Sequence, residues 1–215
     1  MKIKMNKLLI ICMMLMALIF TSAPTFAIVG GEPAENDGLL PIEEQEKLFD
    51  DLDKQPICAD GDNPNETVPY KWVYPTRKGI VLVTKDTEHK IAKVVGHAAI
   101  VYSKEKAIEA TSSGVKLGTN NWHKKKSCWA GNVIKTTDPQ DAAVVNWCYK
   151  QKGKPYNWSF TNINTRSKFY CSQLVYAGFK DKYGVNLNYG GGIVYPADLL
   201  KDTKKTSIVY KKGSI

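Results

Sequence analysis

The sequence predicts an α+β fold in which a small antiparallel sheet packs against helices. Short apolar runs bounded by turn residues predict strands, most clearly over 79–84 and 97–102. Two well-marked helices follow, one opening at Asp138-Pro139 and one running from Cys171 to a terminating Gly184. The tight connection Ser103-Lys104-Glu105 joins two of the predicted strands, so we expect a hairpin there.

The strand predictions rest on alternation and on β-branched residues between turn signals. The predicted strands are 70–74 (a weak alternation), 79–84, 97–102, 106–111, 115–117 and 130–136.

The helix predictions rest on apolar spacing and on end signals. Ile42 to Asp53 fits an amphipathic helix with an acidic face, and 86–96 fits a second helix. Asp138 is the expected N-cap of a third helix, with Pro139 at its first position. The inward residues expected of the third and fourth helices are Ala142, Val145, Trp147, Cys148, Leu174, Val175, Gly178 and Phe179.

The N-terminus has the layout of a secretory signal peptide. Three lysines precede the apolar run Leu8 to Phe20, and Thr25-Phe26-Ala27 offers a cleavage site. An uncleaved membrane anchor is the alternative, although the run is short for a spanning helix. We therefore predict a secreted or cell-envelope protein, divided into a signal peptide (1–27), an acidic arm and loop (28–69) and one main domain (70–215).

Charge is unevenly distributed along the chain. The formal charge of +9 becomes +6 without the three signal-peptide lysines. Residues 28–56 hold nine acidic and two basic residues, whereas 57–215 hold 25 basic and 12 acidic ones. A basic body outside the cell favours an anionic envelope surface as neighbour, and a merely solvated lysine-rich surface is the alternative. The scattered lysines lack the aromatic pattern of an RNA-binding sheet, so no nucleic acid partner is expected.

Four cysteines remain beyond the signal peptide. Their spacings show neither C-x-x-C pairs nor a dense disulfide scaffold. Cys148 falls on an apolar helix face and is expected to be a buried thiol, while a Cys58–Cys128 bridge stays open. The three histidines are dispersed without metal-ligand spacing, so the sequence predicts no metal site and no cofactor.

Cys171 is the candidate nucleophile because it begins a helix. Free N–H groups and the helix dipole stabilise a thiolate there. His97, at the head of a strand, is the candidate general base, whereas His89 and His123 lie in polar surroundings. Glu109 lies between apolar residues on the next strand, where a carboxylate needs a partner such as an imidazole. Taken singly, such a cysteine or histidine is more often structural, and Glu109 fits an exposed strand position; the three residues together point to catalysis.

Three segments carry a resemblance to a known family. Gly96-His97-Ala98-Ala99-Ile100-Val101, Ala107-Ile108-Glu109-Ala110 and Tyr170-Cys171-Ser172-Gln173-Leu174-Val175-Tyr176 resemble the YiiX/YebB-like family. These are circularly permuted papain-like hydrolases related to the NlpC cell-wall peptidases, in which histidine and glutamate precede the cysteine. The resemblance spans about residue 78 to the C-terminus and implies a permuted papain-like (NlpC-type) fold.

The resemblance also implies roles for individual residues. Cys171 takes the position of the nucleophile, His97 that of the base and Glu109 that of the residue orienting the base. Tyr170 and Tyr156, the latter in the turn Gly153 to Asn157, are expected to contact substrate. One departure is Gly79-Ile80, where family members often have Gly-Asp at the head of the first core strand.

The predicted activity is hydrolysis of an amide bond through a thioester at Cys171. The family resemblance makes cell-wall peptides the leading substrate. Two alternatives stay open on the sequence alone: an acyl-lipid hydrolase or acyltransferase of the same fold, and a cell-envelope binding module that keeps the fold without catalysis.

Overall fold

The computed structural model describes residues 38–58, 73–86 and 96–213, all within one compact unit. The signal-peptide prediction, the predicted helix from residue 87 onward and His89 lie outside the described residues. Residues 28–37 of the acidic arm also lie outside the described residues. The division of the chain at residue 70 stays a prediction.

Six antiparallel strands form one sheet, which confirms the predicted α+β class. The strands are β1 (Val81–Thr84), β2 (His97–Val101), β3 (Lys106–Thr111), β4 (Gly114–Thr119), β5 (Cys128–Val133) and β6 (Thr206–Lys212). Their spatial order is β4-β3-β2-β1-β5-β6, with every neighbouring pair antiparallel. The sequence indicated β1 to β5 but not β6, because the pairing of β6 with β5 joins residues far apart in the chain.

Both faces of the central strands are buried. Val81, Val83 and Ile100 belong to the larger apolar cluster, which the helices complete. Leu82 and Val101 belong to a second cluster on the opposite face. Since successive strand residues point to opposite faces, burial on both sides requires a continuous apolar run. This explains why the run from Ile80 to Val83 is apolar throughout.

In the part of the chain that the structure describes, four helices accompany the sheet. They are α1 (Ile42–Lys54), α2 (Asp138–Tyr149), α3 (Cys171–Tyr183) and α4 (Asp198–Lys201), and a 3₁₀ turn spans Trp122–Lys124. Helix α3 is buried from Cys171 to Phe179, which makes it the central helix of the core. Within the described ranges, we find no helix with both the length and the apolar character needed to cross a bilayer.

The acidic helix α1 is packed onto this domain rather than isolated from it. Phe49 and Leu52 are fully buried in the larger cluster. Asp53 accepts a hydrogen bond from Trp129 Nε1 at 2.8 Å, and Asp51 lies 3.0 Å from Lys201 Nζ. The acidic face predicted for this helix therefore supplies partners to the rest of the domain.

Several element boundaries differ from the predicted ones. The N-cap of α2 is Thr137 rather than Asp138, and the side chain of Gln140 accepts the Thr137 N–H at 2.9 Å. Strand β5 begins and ends earlier than the predicted 130–136. Val73 and Tyr74, the described end of the predicted strand 70–74, do not form a strand. The Tyr74 hydroxyl donates to Asn120 Oδ1, and its ring packs edge-on against Tyr210. The short helix α4, which follows α3, was not among the predicted elements.

One glycine fixes the entry into β2. Gly96 has a φ of 100°, a conformation that side chains other than glycine rarely adopt. A Cβ atom there would lie 2.7 Å from the Thr84 carbonyl oxygen and 2.6 Å from Phe49 Cζ. The backbone at Gly96 therefore lies close to both α1 and β1. This close approach fixes the position of the backbone of His97, the next residue.

Candidate active site

The hairpin β2–β3 brings His97 and Glu109 together. Glu109 pairs with Ala99, one same-face step from His97, so the two side chains are diagonal neighbours. His97 Nε2 lies 2.8 Å from Glu109 Oε2. With Nε2 engaged by the carboxylate, Nδ1 is the ring nitrogen left for another partner.

That partner is Cys171, the first residue of α3. A side-chain hydrogen bond joins Cys171 and His97, and the Ala98 backbone N–H also donates to the sulfur. Three residues from distant parts of the chain thus form one series, Cys171–His97–Glu109. The structure brings together all three residues that the sequence suggested.

The start of α3 is anchored by a buried amide network. Gln173 Oε1 accepts the Tyr170 N–H at 3.2 Å and the Asn157 side-chain amide at 2.9 Å. Gln173 Nε2 donates to the carbonyl oxygens of Asn162 and Thr165. These bonds hold the helix terminus rigidly, and its unpaired N–H groups and dipole favour negative charge at the sulfur.

The protonation of this series favours a thiolate beside an imidazolium. Burial alone would raise the pKa of Cys171, but the hydrogen bond and charge of His97 bring it below its ordinary value. Burial would lower the pKa of His97, and the hydrogen bonds to Cys171 and Glu109 instead raise it to about 9. The imidazole of His97 is therefore protonated at neutral pH, and the same interactions favour the thiolate form of Cys171.

Glu109 carries the charge that balances the imidazolium. Burial would raise the pKa of this carboxyl, whereas the bond to His97 and the nearby Lys116 and Lys125 lower it. Lys116 Nζ lies 4.0 Å from Glu109 Oε1. Glu109 is thus an ionised carboxylate between two cationic groups.

The neighbouring Ser172 contributes little to the thiolate. Its hydroxyl is 3.9 Å from Cys171 Sγ, but it donates its single proton to the Val194 carbonyl oxygen at 2.6 Å. The shorter bond takes the proton. The stabilisation of the sulfur therefore comes from His97, the Ala98 N–H and the helix terminus.

The other cysteines of the described residues have the opposite character. Cys58, Cys128 and Cys148 are free and buried, and burial raises the pKa of each thiol, for Cys128 to about 12. Cys148 is the buried thiol that the sequence predicted, and no Cys58–Cys128 bridge is formed. Among these four thiols, a lowered pKa distinguishes Cys171.

The two tyrosines predicted to contact substrate occupy different environments. Tyr156 is half-buried, and the charge of Cys171 adds to burial in raising the pKa of its phenol, so it lies close to the sulfur. Tyr170 has no exposed surface, and its hydroxyl accepts the Val194 N–H at 3.0 Å. This buried side chain supports the start of α3, and its contact with substrate stays a prediction.

A tryptophan that the sequence did not single out covers the imidazole. Trp122 is 3 % exposed and stacks on His97, with ring centroids 5.5 Å apart and planes 19° apart. Lys125 Nζ lies 5.4 Å from the centroid of the same indole. No local pattern indicated this contact, since Trp122 lies in a polar loop and meets His97 only through the folded sheet.

A buried cysteine at a helix start, bonded to a strand histidine that a carboxylate orients, defines a papain-like cysteine hydrolase. The family model described as permuted papain-like amidase enzyme, YaeF/YiiX, C92 family, matches residues 80–192. The chain belongs to this family of amidases. The order of the site residues, with His97 and Glu109 before Cys171, agrees with the permutation.

A solved structure shares the fold. The crystal structure of the metalloprotein yiiX from Escherichia coli O157:H7 matches with a TM-score of 0.53 and 16% sequence identity. The match covers 65% of this chain and 99% of that one. Among curated proteins, none matches this chain.

The description of that structure as a metalloprotein raises the question of a metal site here. In residues 38–58, 73–86 and 96–213 there is no group of three or more His, Cys, Asp and Glu side chains arranged to hold an ion. Moreover, Glu109 is already bonded to His97, and the ammonium group of Lys116 lies beside its second oxygen. The residues around Cys171 therefore fit proton transfer rather than metal coordination.

Proposed function

We propose that this protein is an exported amidase that cleaves an amide bond in cell-wall peptides, with Cys171 as nucleophile. The observation that carries the proposal is the hydrogen-bonded series Cys171–His97–Glu109 at the N-terminus of a buried helix. The lowered pKa of Cys171 and the raised pKa of His97 favour a thiolate and an imidazolium, the protonation states that acyl transfer to sulfur requires.

In the first half of the reaction, the Cys171 thiolate attacks the amide carbonyl carbon. A carbon–sulfur bond forms and the carbonyl oxygen becomes an oxyanion, which the N–H groups at the start of α3 stabilise. The His97 imidazolium then gives its proton to the leaving nitrogen. The carbon–nitrogen bond breaks, the amine departs and an acyl thioester remains on Cys171.

In the second half, water replaces the amine. Neutral His97 takes a proton from the water as its oxygen attacks the thioester carbon. The carbon–sulfur bond breaks, the acid product leaves, and the thiolate–imidazolium pair is restored. Throughout, Glu109 holds the imidazole in the orientation in which Nδ1 faces the sulfur, and its charge stabilises the protonated ring.

The cellular setting is supported by the sequence. A basic n-region, an apolar run and a cleavage site at residues 1–27 favour export. The excess of basic residues after position 57 favours an anionic envelope surface, such as cell-wall polymers or lipid headgroups. Binding to such a surface should weaken as salt rises, since exposed charges are screened within about 10 Å at 0.1 M ionic strength.

The test compares the purified mature protein with its Cys171→Ala variant on isolated cell-wall fragments. We expect the wild type to release new amino groups from the fragments and the variant to release none. Cys148→Ala is the matched control, because it also removes a buried thiol, but one whose pKa is raised by burial and which is not bonded to His97. Full activity in Cys171→Ala would overturn the proposal.

The same assay separates the alternatives. Acyl lipids are offered in parallel with the wall fragments, and Cys171-dependent release of fatty acid with no action on the wall would identify a lipid acyl hydrolase instead. A protein that binds wall fragments, cleaves neither substrate and leaves Cys171 inert to iodoacetamide near neutral pH would be a binding module.

A further inference from the structure

A glycine within strand β4 faces the carboxylate of Glu109. Glu109 pairs with Lys116 and Ala107 pairs with Gly118, so Gly118 is a diagonal neighbour of Glu109 on the same face of the sheet. Glycine in a strand interior weakens the strand and often marks a site of close approach. Gly118 does not have a positive φ, so the backbone conformation at this position does not require a glycine.

The space beside Gly118 is occupied by the Glu109 side chain. A Cβ atom on residue 118 would lie 2.9 Å from Glu109 Cδ and would overlap with Oε1. Real Cβ atoms do not approach other atoms so closely, so the carboxyl group would have to move. Its other oxygen, Oε2, is the atom that lies 2.8 Å from His97 Nε2.

We propose that Gly118 is a positioning residue of the active site, which acts by leaving the space that the Glu109 carboxylate needs to reach His97. This inference rests on the proposed function of the series Cys171–His97–Glu109. Any side chain at position 118 displaces the carboxylate, lengthens its bond to the imidazole and lowers the stability of the imidazolium. The enzyme thereby loses orientation of its base, although residue 118 touches neither the sulfur nor the base.

The experiment follows the titration of His97 by NMR in the full mature chain labelled at histidine Cε1. Of the three histidine signals, the one missing in His97→Gln identifies the residue. The proteins compared are the wild type, Gly118→Ala, Glu109→Ala and the double variant. The control is Gly213→Ala, because a Cβ atom at Gly213 meets nothing within 4 Å.

The expected result is non-additive. Gly118→Ala and Glu109→Ala should each shift the His97 titration to lower pH by one unit or more, which corresponds to about a tenfold change in proton affinity. The double variant should titrate like Glu109→Ala alone, because no carboxylate remains to be displaced. Gly213→Ala should titrate like the wild type.

Three outcomes would overturn the inference: a wild-type titration in Gly118→Ala, an additional shift in the double variant, or unfolding of both the single and the double variant. If Gly118→Ala unfolds and the double variant folds, the recovered stability confirms that a side chain at position 118 overlaps with Glu109. The hydrolysis assay with Cys171→Ala is independent of this titration, so failure of the proposed function and failure of this inference remain distinguishable.

Discussion

Glu109 Oε2 lies 2.8 Å from His97 Nε2 across the hairpin β2–β3, which leaves Nδ1 of the imidazole for the hydrogen bond to Cys171. This bond links a carboxylate to a thiol through one ring, so that the charge of Glu109 is felt at the sulfur. The arrangement needs three elements to meet: the hairpin, the glycine before His97 and the start of the buried helix α3.

Replacing Glu109 by glutamine should move the alkaline limit of activity. The amide keeps the size of the side chain but removes the charge, so the pKa of His97 should fall from about 9 towards its ordinary 6.5. Because His97 must be protonated to expel the amine, kcat/KM should decline at lower pH than in the wild type. From this shift the loss should be about fourfold at pH 7 and should grow as the pH rises towards the wild-type pKa of about 9.

The pH–rate profiles of the two proteins on a cleaved wall substrate measure this shift. Glu105→Gln serves as control, since it makes the same chemical change at an exposed position in the preceding turn. Equal alkaline limits in Glu109→Gln and the wild type would show that the carboxylate does not act on His97.

Trp122 should contribute to kcat rather than to KM. Its indole stacks on the imidazole and is nearly inaccessible, so it acts on the base and not on the substrate. Aromatic pairs contribute about 0.5–1.5 kcal/mol beyond area burial, so Trp122→Leu should lower kcat roughly three- to tenfold. Trp122→Phe, which keeps a ring face, should retain most activity. A rise in KM with unchanged kcat would instead place Trp122 against the substrate.

Asp198 should make stability depend on pH in the acidic range. Its carboxyl is 2 % exposed, and burial raises the pKa of Asp198 to about 6 from an ordinary 3.8. The folded protein therefore keeps a proton that the unfolded chain releases between these values. As pH rises through that window, this group lowers the free energy of unfolding.

Asp198→Asn keeps an acceptor oxygen for the Tyr195 N–H and removes the titration. Urea denaturation at about pH 4 and pH 7 should show a smaller loss of stability on raising the pH in Asp198→Asn than in the wild type. Asp50→Asn, at an exposed position, is the control. An identical pH dependence in wild type and Asp198→Asn contradicts the prediction.

The sequence predicted those parts of the fold that are encoded locally. The hairpin that carries His97 and Glu109 is visible in two short apolar runs and a tight connection, and Gly184 marks the end of α3 with a left-handed φ of 71°. The candidate site followed because a thiol at a helix start and a carboxylate between apolar residues both require a partner. Their meeting is a consequence of the sheet register.

Other features depend on contacts between distant segments and could not be predicted in the same way. Strand β6 is stabilised by pairing with β5, and α4 is only four residues long. Trp122 and Gly118 acquire their roles from the neighbours they meet in space, His97 and Glu109. The Tyr170 hydroxyl is buried against the N–H of Val194, and the residues around Tyr170 in the sequence do not indicate this contact.

Catalysis by this site requires that His97 activates Cys171, and the rate of Cys171 alkylation by iodoacetamide as a function of pH measures that coupling. Mass spectrometry of the Cys171 peptide separates this thiol from the other cysteines. We predict that alkylation of the wild type begins at clearly lower pH than alkylation of His97→Ala, whose thiol should react only towards the ordinary cysteine pKa of about 8.5. Coincident profiles for the two proteins would show that His97 does not activate Cys171.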